Sequence, residues 1–328
     1  MNEITLRGSH VEMGRRIGHR LKAEGATFEG LGDESVRYTN RLVDRVGALI
    51  PDLLDEIRGI ADAGGYDEGV VRFHALSLGI IPACTVIAIS GEHTASGRPL
   101  FGRNYDASPE FADFTLYRTY PERGFAHIGC CYGMLVGREG GLNEAGLAIA
   151  VTGVQGRYTD APGLWDHIPV RAVLERCETV DEACELLLAL PHLWTKNFLV
   201  VDASGTIATI EAGQQDVVVT RPSTGFGAIA NHFVSPSMVG FCNEAKIPSN
   251  SRSRIEAAVR WFEGWAPQRR RITPNDLKVL LCDTEGGVRS QLDDGFATVW
   301  SWIASPGDRR IELSDRRPEP DTYRPYDF

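Results

Sequence analysis

The chain has 328 residues, of which 43% are hydrophobic and 24% are charged, a composition typical of a globular protein with one or two domains. Its formal net charge of −10 argues against a nucleic-acid partner, and its apolar runs are shorter than the ~20 residues of a membrane span. The N-terminus lacks the apolar core of a secretory signal, so we expect a cytoplasmic protein without a membrane partner.

The first 80 residues are predicted to be helical. Ser9 and Glu12 form a capping-box pattern, Pro51 opens another apolar-periodic segment, and Gly64 and Gly65 end that segment. The predicted helices span 9–25, 31–50, 51–65 and 67–79.

From residue 84 onward, buried and alternating apolar runs predict strands separated by turns. These strands span 84–90, 100–106, 114–120, 126–133, 147–154, 197–203, 206–212, 216–220, 226–233, 296–305 and 309–315. One long helix is predicted at 166–190, and two more at 251–265 and 273–283, the last capped by Thr273. Strand runs interrupted by a few helices indicate an α+β protein with sheets covered by helices.

The seven cysteines form no C-x-x-C pair and have no ligand-like spacing to histidine. This pattern favours free thiols in a reducing compartment and predicts neither a disulfide framework nor a metal site. Cys177 and Cys184 fit the core face of a helix, and the adjacent Cys130 and Cys131 are predicted to point to opposite faces of a strand. No motif predicts an organic cofactor.

Cys84 differs from the other cysteines because it begins the first strand, at the point where the helical segment ends. A cysteine attacks as its thiolate, and no histidine is placed as an obvious base for Cys84. A nucleophile that is the first residue of its chain can use its own α-amino group as the base. Cys84 reaches that state only if the bond after Ala83 is cut, and the small side chain of Ala83 leaves its carbonyl accessible to the thiol.

Polar residues at the end of the next strand suit this chemistry. Asp106 could orient the new amino group, and Arg103 could favour the thiolate and hold a substrate carbonyl. The segment "ACT…GRPLFGRNYD" resembles the N-terminal-nucleophile hydrolases, in particular the isopenicillin N acyltransferase-like family, which is related to bile-salt hydrolases and acid ceramidase. The resemblance covers nearly the whole chain. The segments "RGSHVEMGRRIGHRL" and "PDLLDEIRGIADAGG" are similar to the leader helices of that family, and "GGLNEAGLAIAVTGV", "NFLVVDASGTIATIEA", "ANHF" and "SNSRSR" are similar to later segments in the same order.

The resemblance implies a role for each matching position. Cys84 is the nucleophile, Arg103 and Asp106 support it, and Asn231 donates a side-chain N–H to the oxyanion. Arg254, or less well Arg252, is the late arginine that supports the cluster. A backbone N–H near Gly153 is the candidate second oxyanion donor, where relatives have an asparagine or tyrosine. Ala83 stands where the penicillin-making relative has glycine.

The resemblance also implies a four-layer αββα sandwich and self-cleavage of an inactive precursor. The expected fragments are a helical leader, residues 1–83, and a catalytic fragment, residues 84–328. The leader is expected to stay bound because its amphipathic helices need a partner for their apolar faces. Homo-oligomerisation is left open.

The reaction implied is cleavage of a linear amide through an S-acyl-enzyme, with acyl transfer to an amine, from an amide or acyl-CoA donor, as the alternative. Two alternative functions remain: a cysteine–histidine hydrolase that uses His232 or His127 without self-cleavage, and an uncleaved, non-catalytic binding protein.

Simpler interpretations hold for other polar and aromatic residues. Asn197 is interpreted as structural and Asn143–Glu144 as a hairpin turn, while Trp194, Phe111 and Phe114 belong to the core by default.

Overall fold

The computed structural model describes residues 1–28, 33–79, 83–133, 135–157, 159, 161–265, 270–291 and 297–328. These residues form one eight-stranded and one six-stranded sheet, packed face to face, with helices on both outer faces. The α+β class and the four-layer αββα arrangement predicted from the sequence are confirmed. No helix within the described ranges combines the length and apolarity needed to cross a bilayer.

The leader contains a strand that the helical prediction missed. Strand β1 (Asn2–Gly8) precedes helices α1 (His10–Ala23), α2 (Asp33–Leu49), α3 (Pro51–Gly64) and α4 (Glu68–Ser77). The capping box of Ser9 and Glu12 is present at α1, as predicted. Gly14 and Gly59 let α1 and α3 approach closely, because a Cβ on Gly14 would lie 2.0 Å from the Glu56 carbonyl oxygen.

The eight-stranded sheet has the order β1-β4-β5-β6-β7-β8-β9-β10, and β1 lies parallel to β4. Its remaining strands are β4 (Thr115–Pro121), β5 (His127–Cys131), β6 (Gly140–Asn143), β7 (Ala148–Gly153), β8 (Lys196–Val201), β9 (Ile207–Ala212) and β10 (Val217–Thr220). The leader therefore supplies one edge of a sheet whose other strands all follow residue 84.

The six-stranded sheet has the order β11-β2-β3-β12-β13-β14 and is antiparallel throughout. Its strands are β2 (Ala83–Ile89), β3 (Leu100–Ala107), β11 (Phe226–Ile229), β12 (Ala297–Ser305), β13 (Arg310–Ser314) and β14 (Arg324–Tyr326). Each strand predicted from the sequence has a counterpart in one of the two sheets, and the start of the predicted strand 296–305, Phe296, lies outside the described residues.

The long helix predicted at 166–190 is wrong, because the chain forms two helices there. Helix α5 (His167–Arg176) ends at Cys177, and Thr179 caps helix α6 (Val180–Ala189) with a capping box to Glu182. Helices α5 and α6 cover the eight-stranded sheet, and α7 (Ser251–Trp265) and α8 (Pro274–Cys282) cover the six-stranded sheet. Thr273 caps α8 as predicted.

All seven cysteines are buried free thiols. Cys130 faces the core between the sheets, while Cys131 packs in the cluster formed with the leader, so the predicted opposite orientations are confirmed. Cys177 and Cys184 lie in the core beneath α5 and α6. Cys84 also lies in the core between the sheets, and its Sγ accepts a hydrogen bond from Arg103.

Candidate active site

Cys84 is the second residue of β2, in the interior of the six-stranded sheet, and its side chain is fully buried. In the antiparallel register Cys84 lies opposite Tyr105 and Ala83 lies opposite Asp106. Because side chains alternate along a strand, Cys84, Arg103 and Tyr105 share the inner face of the sheet, while Asp106 points to the outer face. The site therefore has two sides, joined through the backbone of β2.

Arg103 occupies the inner side. Its Nη2 lies 3.2 Å from Cys84 Sγ, and its Nη1 donates a 2.7 Å hydrogen bond to the Glu139 carbonyl oxygen. The rings of Tyr105 and Trp300 stack 4.5 Å apart, and the Arg103 guanidinium carbon lies 5.3 Å from each ring centroid. Aromatic faces attract cations, so these rings help to hold the arginine against the thiol.

Asp106 and Arg254 form a fully buried ion pair on the outer side. Arg254 Nη1 lies 3.2 Å from Asp106 Oδ2, without the alignment of a hydrogen bond, and Asp106 Oδ1 accepts a 2.6 Å hydrogen bond from Thr298 Oγ1. Arg254 reaches the sheet from the first turn of α7, which begins at Ser251. A charge buried this deeply requires a partner of opposite charge, and Asp106 and Arg254 are partners of each other.

Arg254 also holds the backbone around Cys84. Its Nη1 donates to the Cys84 carbonyl oxygen and to Thr85 Oγ1, both at 2.6 Å, and its Nη2 donates to Asn231 Oδ1 at 2.8 Å. Arg252 is exposed and forms an ion pair with Glu244. Of the two arginines considered from the sequence, the structure therefore places Arg254 in the cluster and Arg252 on the surface.

Asn231 connects Cys84 to the eight-stranded sheet. Its Oδ1 accepts a 3.1 Å hydrogen bond from the backbone nitrogen of Cys84, and its Nδ2 donates a 2.8 Å hydrogen bond to the Gly153 carbonyl oxygen. The structure therefore brings together Asn231 and Gly153, the two positions considered as oxyanion donors. In this arrangement the side-chain N–H of Asn231 contacts Gly153, so its oxyanion role stays a prediction that requires this contact to be exchanged for a substrate oxygen.

Burial sets the protonation of the thiol. It raises the pKa of Cys84 to about 11, although the adjacent Arg103 acts in the opposite direction. Burial also raises the pKa of Asp106, against the lowering effects of Arg254 and the Thr298 hydrogen bond. At neutral pH the Cys84 side chain of the uncleaved chain is therefore a thiol, and attack requires a base to take its proton.

The two histidines considered as alternative bases have other partners. His232 Nδ1 lies 2.8 Å from Ser251 Oγ, and burial, with Arg252 and Arg254, lowers the pKa of His232 to about 4. His127 Nδ1 lies 3.1 Å from the Phe125 carbonyl oxygen, and burial lowers its pKa well below 6.5. Within the described ranges, the hydrogen-bond partner of Cys84 Sγ is Arg103, and no histidine contacts the sulfur.

Glu139 belongs to the cluster, although the sequence analysis did not identify it. Its backbone oxygen binds Arg103 and its side chain is buried. Burial raises the pKa of Glu139 to about 8, against the lowering effect of Arg103 and with a further increase from Asp166. The only sequence signal is a charged Arg138–Glu139 pair directly before the buried glycines of β6, and that pattern predicts no particular role.

The remaining residues singled out from the sequence have structural contacts. Asn197 Nδ2 donates to the carbonyl oxygens of Ala230 and His232, at 2.9 and 3.0 Å, and so fixes the segment that carries Asn231. Phe114 packs on Trp300 at 4.5 Å, and Trp194 lies 6.0 Å from Trp165. Within the described part of the chain, no group of three or more metal-ligating side chains is assembled.

Solved structures with similar architecture define the class of fold. Two variants of the conjugated bile acid hydrolase from Clostridium perfringens each match with a TM-score of 0.56 and 14% sequence identity, over 74% and 75% of this chain and 92% of theirs. The Caenorhabditis elegans ortholog of N-acylethanolamine-hydrolyzing acid amidase matches with a TM-score of 0.49 and 16% identity, over 68% of this chain and 93% of its own. The two bile acid hydrolase structures show that the chain has the N-terminal-nucleophile hydrolase fold.

The family follows from the sequence model of the acyl-coenzyme A:6-aminopenicillanic acid acyl-transferases, which matches residues 93–319. The chain belongs to this family and is an enzyme that acts on amide bonds, as a hydrolase or an acyltransferase. The matched region contains Arg103, Asp106, Asn231 and Arg254, and it begins nine residues after Cys84. No curated protein matches the chain significantly.

Proposed function

We propose that the chain is a self-cleaving amidase in which Cys84 becomes an N-terminal nucleophile and hydrolyses linear amides through an S-acyl-enzyme. One observation carries the proposal: Cys84 Sγ contacts Arg103, and its backbone nitrogen and carbonyl oxygen are held by Asn231 and Arg254. The sulfur has a cationic partner, and among the described residues no histidine is hydrogen-bonded to it, so the amine that cleavage would release is the base that we propose.

Self-cleavage requires the Cys84 thiol to add to the carbonyl carbon of Ala83. The C–N bond between the two residues then breaks as the acyl group moves to sulfur, and the nitrogen gains the proton that the thiol loses and becomes a free amine. Water hydrolyses the thioester, leaving a carboxylate on Ala83 and a thiol on Cys84. Ala83 pairs with Asp106 across the strands, and this pairing supports Asp106 as the group that would orient the new amine.

Amide hydrolysis then repeats the attack on an external substrate. The α-amine of Cys84 takes the thiol proton, the thiolate attacks the amide carbon, and the leaving amine departs protonated. Asn231 and a backbone N–H near Gly153 would hold the oxyanion, an interaction worth about 3–4 kcal/mol per donor in comparable sites. Water releases the acid and restores the thiol. An α-amino pKa near 7.7–8.0 suits a base that works at neutral pH.

Acyl transfer is the second candidate, and the family description favours it. Both reactions share the S-acyl-enzyme and differ only in whether water or an amine attacks it. Incubation with an amide donor and an added amine distinguishes them: formation of the new amide faster than release of the free acid would establish a transferase.

The domain boundary of this proposal follows the cleavage site, with a leader of residues 1–83 and a catalytic fragment of residues 84–328. Two features would keep the leader bound. Strand β1 completes the edge of the eight-stranded sheet, and Arg171 of the catalytic fragment contacts Glu56 at 3.0 Å and Glu175 at 2.7 Å. His10 of the leader in turn contacts Glu175. These charges are buried, so separation would leave unpaired groups.

Intact mass under denaturing conditions tests the proposal. The 36.0 kDa chain should give fragments of about 9 and about 27 kDa in proportion to their lengths, and the larger fragment should start at Cys84. Cys84→Ala should stay intact, and Cys242→Ala should be cleaved normally because Cys242 lies in a separate apolar cluster. An intact but active wild type would favour the histidine-assisted alternative. An intact chain with an unreactive Cys84 would favour a binding protein.

A further inference from the structure

A short segment connects the helical leader to the candidate active site. This connecting segment, residues 136–139, lies between β5 and β6, and its carbonyl groups are held from two directions. Arg171 Nη1, in the interface with the leader, donates to the Val136 carbonyl oxygen at 3.0 Å. Arg103 Nη1, beside Cys84, donates to the Glu139 carbonyl oxygen at 2.7 Å. The segment therefore lies between the leader interface and the arginine that contacts the nucleophile.

The leader holds the connecting segment through Glu56. This residue lies on α3 and is fully buried, and its Oε2 lies 3.0 Å from Arg171 Nη2. The Nη1 of the same guanidinium binds Val136, and its Nε donates to Glu175 at 2.7 Å. Each nitrogen of Arg171 therefore has its own acceptor, which fixes the plane of the guanidinium. A carboxylate of the leader thus helps to orient the arginine that holds the segment.

A second leader contact reaches the same segment. The Ala75 carbonyl oxygen, on α4, lies 3.0 Å from His167 Nε2, and the His167 carbonyl oxygen accepts a 2.9 Å hydrogen bond from Arg138 N. Gly137 lies so close to the His167 ring that an added Cβ would be 1.8 Å from its Cδ2. Close packing of this kind transmits a displacement instead of absorbing it, so the position of the segment depends on the leader.

The orientation of Arg103 depends in turn on Glu139. Arg103 Nη1 binds the Glu139 carbonyl oxygen and Nη2 lies 3.2 Å from Cys84 Sγ, so one planar group makes both contacts. Within the part of the chain that the structure describes, Arg103 Nε has no hydrogen-bond partner. A displacement of the Glu139 carbonyl group would therefore move Nη2 relative to the sulfur.

We propose that Glu56 and Arg171 are positioning residues of the reaction, because through the connecting segment they hold Arg103 against the Cys84 thiol. The leader then supports the active site and is more than a segment removed from the catalytic fragment. The inference rests on the proposed function, since it names residues that act on the same nucleophile. It requires that Glu56 affect Cys84 only when Arg103 is present.

A double-mutant cycle on the full-length chain tests the inference. The measurement is the rate of iodoacetamide alkylation at Cys84, followed by peptide mass, and intact mass ensures that cleaved and uncleaved chains are compared separately. Glu56→Gln should lower the rate by about threefold to tenfold, because Arg103 opposes the rise in the thiol pKa that burial causes. In the Arg103→Met background Glu56→Gln should have no effect on the rate. Asp55→Asn, at a surface ion pair on the same helix, should have no effect in either background.

A second variant tests the same contact without removing a charge. Arg171→Lys keeps a cation beside Glu56 and Glu175 but loses the planar fork that also reaches Val136, so it should slow alkylation as Glu56→Gln does. In Glu56→Gln the side chain keeps its size and Glu175 remains as a counter-charge for Arg171, so we expect this variant to fold.

An effect of Glu56→Gln that is equally large with and without Arg103 would overturn the inference, because general loosening of the interface acts on Cys84 in both backgrounds. An unchanged or increased alkylation rate in Glu56→Gln and Arg171→Lys would overturn it as well. The proposed function fails on different evidence, namely an uncleaved wild type and the absence of an S-acyl adduct at Cys84. The alkylation rate can be measured on an uncleaved chain, so the two failures are distinguishable.

Discussion

Arg254 and Asp106 form an ion pair that is fully buried beneath the strand carrying Cys84, with 3.2 Å between Arg254 Nη1 and Asp106 Oδ2. The same guanidinium binds the Cys84 carbonyl oxygen and Asn231 Oδ1. Arg254 therefore supports the geometry of the nucleophile through both the backbone and the neighbouring amide. In a variant that lacks the Cys84 thiol, the contribution of Arg254 to stability can be measured apart from its effect on the reaction.

Arg254→Met in the Cys84→Ala background should lower the free energy of unfolding by about 3–5 kcal/mol, because Asp106 loses its buried partner. Urea denaturation gives this value. Arg252→Met is the matched control: its side chain is 53% exposed and pairs with Glu244, so a loss below about 1 kcal/mol is expected. Equal losses in the two variants would contradict the role assigned to Arg254.

Arg103→Met should make Cys84 less reactive, because the arginine lies 3.2 Å from the sulfur and opposes the rise in the thiol pKa. Each unit of further increase in pKa reduces the thiolate fraction about tenfold at neutral pH. The measurement is the rate of iodoacetamide alkylation at Cys84, followed by peptide mass. Arg103→Lys should retain part of the reactivity, and Arg98→Met, at an exposed ion pair, should not change it. An unchanged rate in Arg103→Met would disprove the electrostatic role.

Glu139→Gln should change how stability depends on pH. Burial raises the pKa of Glu139 in the folded chain from 4.5 to about 8, so between these values the folded state binds more protons than the unfolded state. The stabilisation that protonated Glu139 provides is complete below about pH 4.5. It is lost as the pH rises to about 8, by up to about 1.4 kcal/mol per pH unit.

Urea denaturation of Cys84→Ala at pH 5, 6, 7 and 8 tests this prediction. The free energy of unfolding should fall with pH more steeply when Glu139 is present than in the Glu139→Gln variant. Parallel pH profiles would show that the carboxylate of Glu139 is not destabilised by burial.

His10→Gln should weaken binding between the leader and the catalytic fragment. His10 contacts Glu175, and although burial lowers its pKa, the Glu175 hydrogen bond and charge produce a net increase above 6.5. The stabilisation that protonated His10 provides is therefore complete below pH 6.5. It is lost as the pH rises through the higher pKa that His10 has in the folded protein. Size-exclusion chromatography of cleaved protein in moderate urea should show earlier fragment separation in the variant at pH 6 than in wild type. The difference should shrink at pH 9, whereas a difference of the same size at both values would exclude a charged histidine.

Asn143→Ala should destabilise the fold without affecting catalysis. Its Nδ2 donates to the Leu174 and Cys177 carbonyl oxygens, and its Oδ1 accepts from Leu147 N. Leaving these buried groups unpaired should cost about 1–3 kcal/mol. Asn40→Ala, on an exposed part of α2, removes only a surface hydrogen bond from Arg72 and should cost about 0.5 kcal/mol. A loss of kcat/KM in Asn143→Ala at a temperature where the variant is folded would show that the hairpin takes part in the reaction.

Several features could be predicted from the sequence because their causes are local. The capping box at Ser9 and the cap at Thr273 predicted two helix starts correctly. The break between α5 and α6 was missed, although Thr179 and Glu182 provide the same capping signal. Strand β1 was missed for a different reason: it is a single strand whose pairing with β4 depends on residues more than 100 positions away.

The sequence by itself determined the α+β class and the positions of eleven strands, because the patterns of apolar and turn residues are local, and it predicted Cys84 as the candidate nucleophile. Only the tertiary structure decided that Arg254 rather than Arg252 enters the cluster, that Asn231 contacts Gly153, and that Glu139 supports Arg103. These contacts join segments from different sheets and helices, and their geometry depends on how the two sheets pack. Local patterns of polarity contain no information about that packing. Most residues of the cluster could therefore be predicted from the sequence, but Glu139 and the contacts between the residues could not.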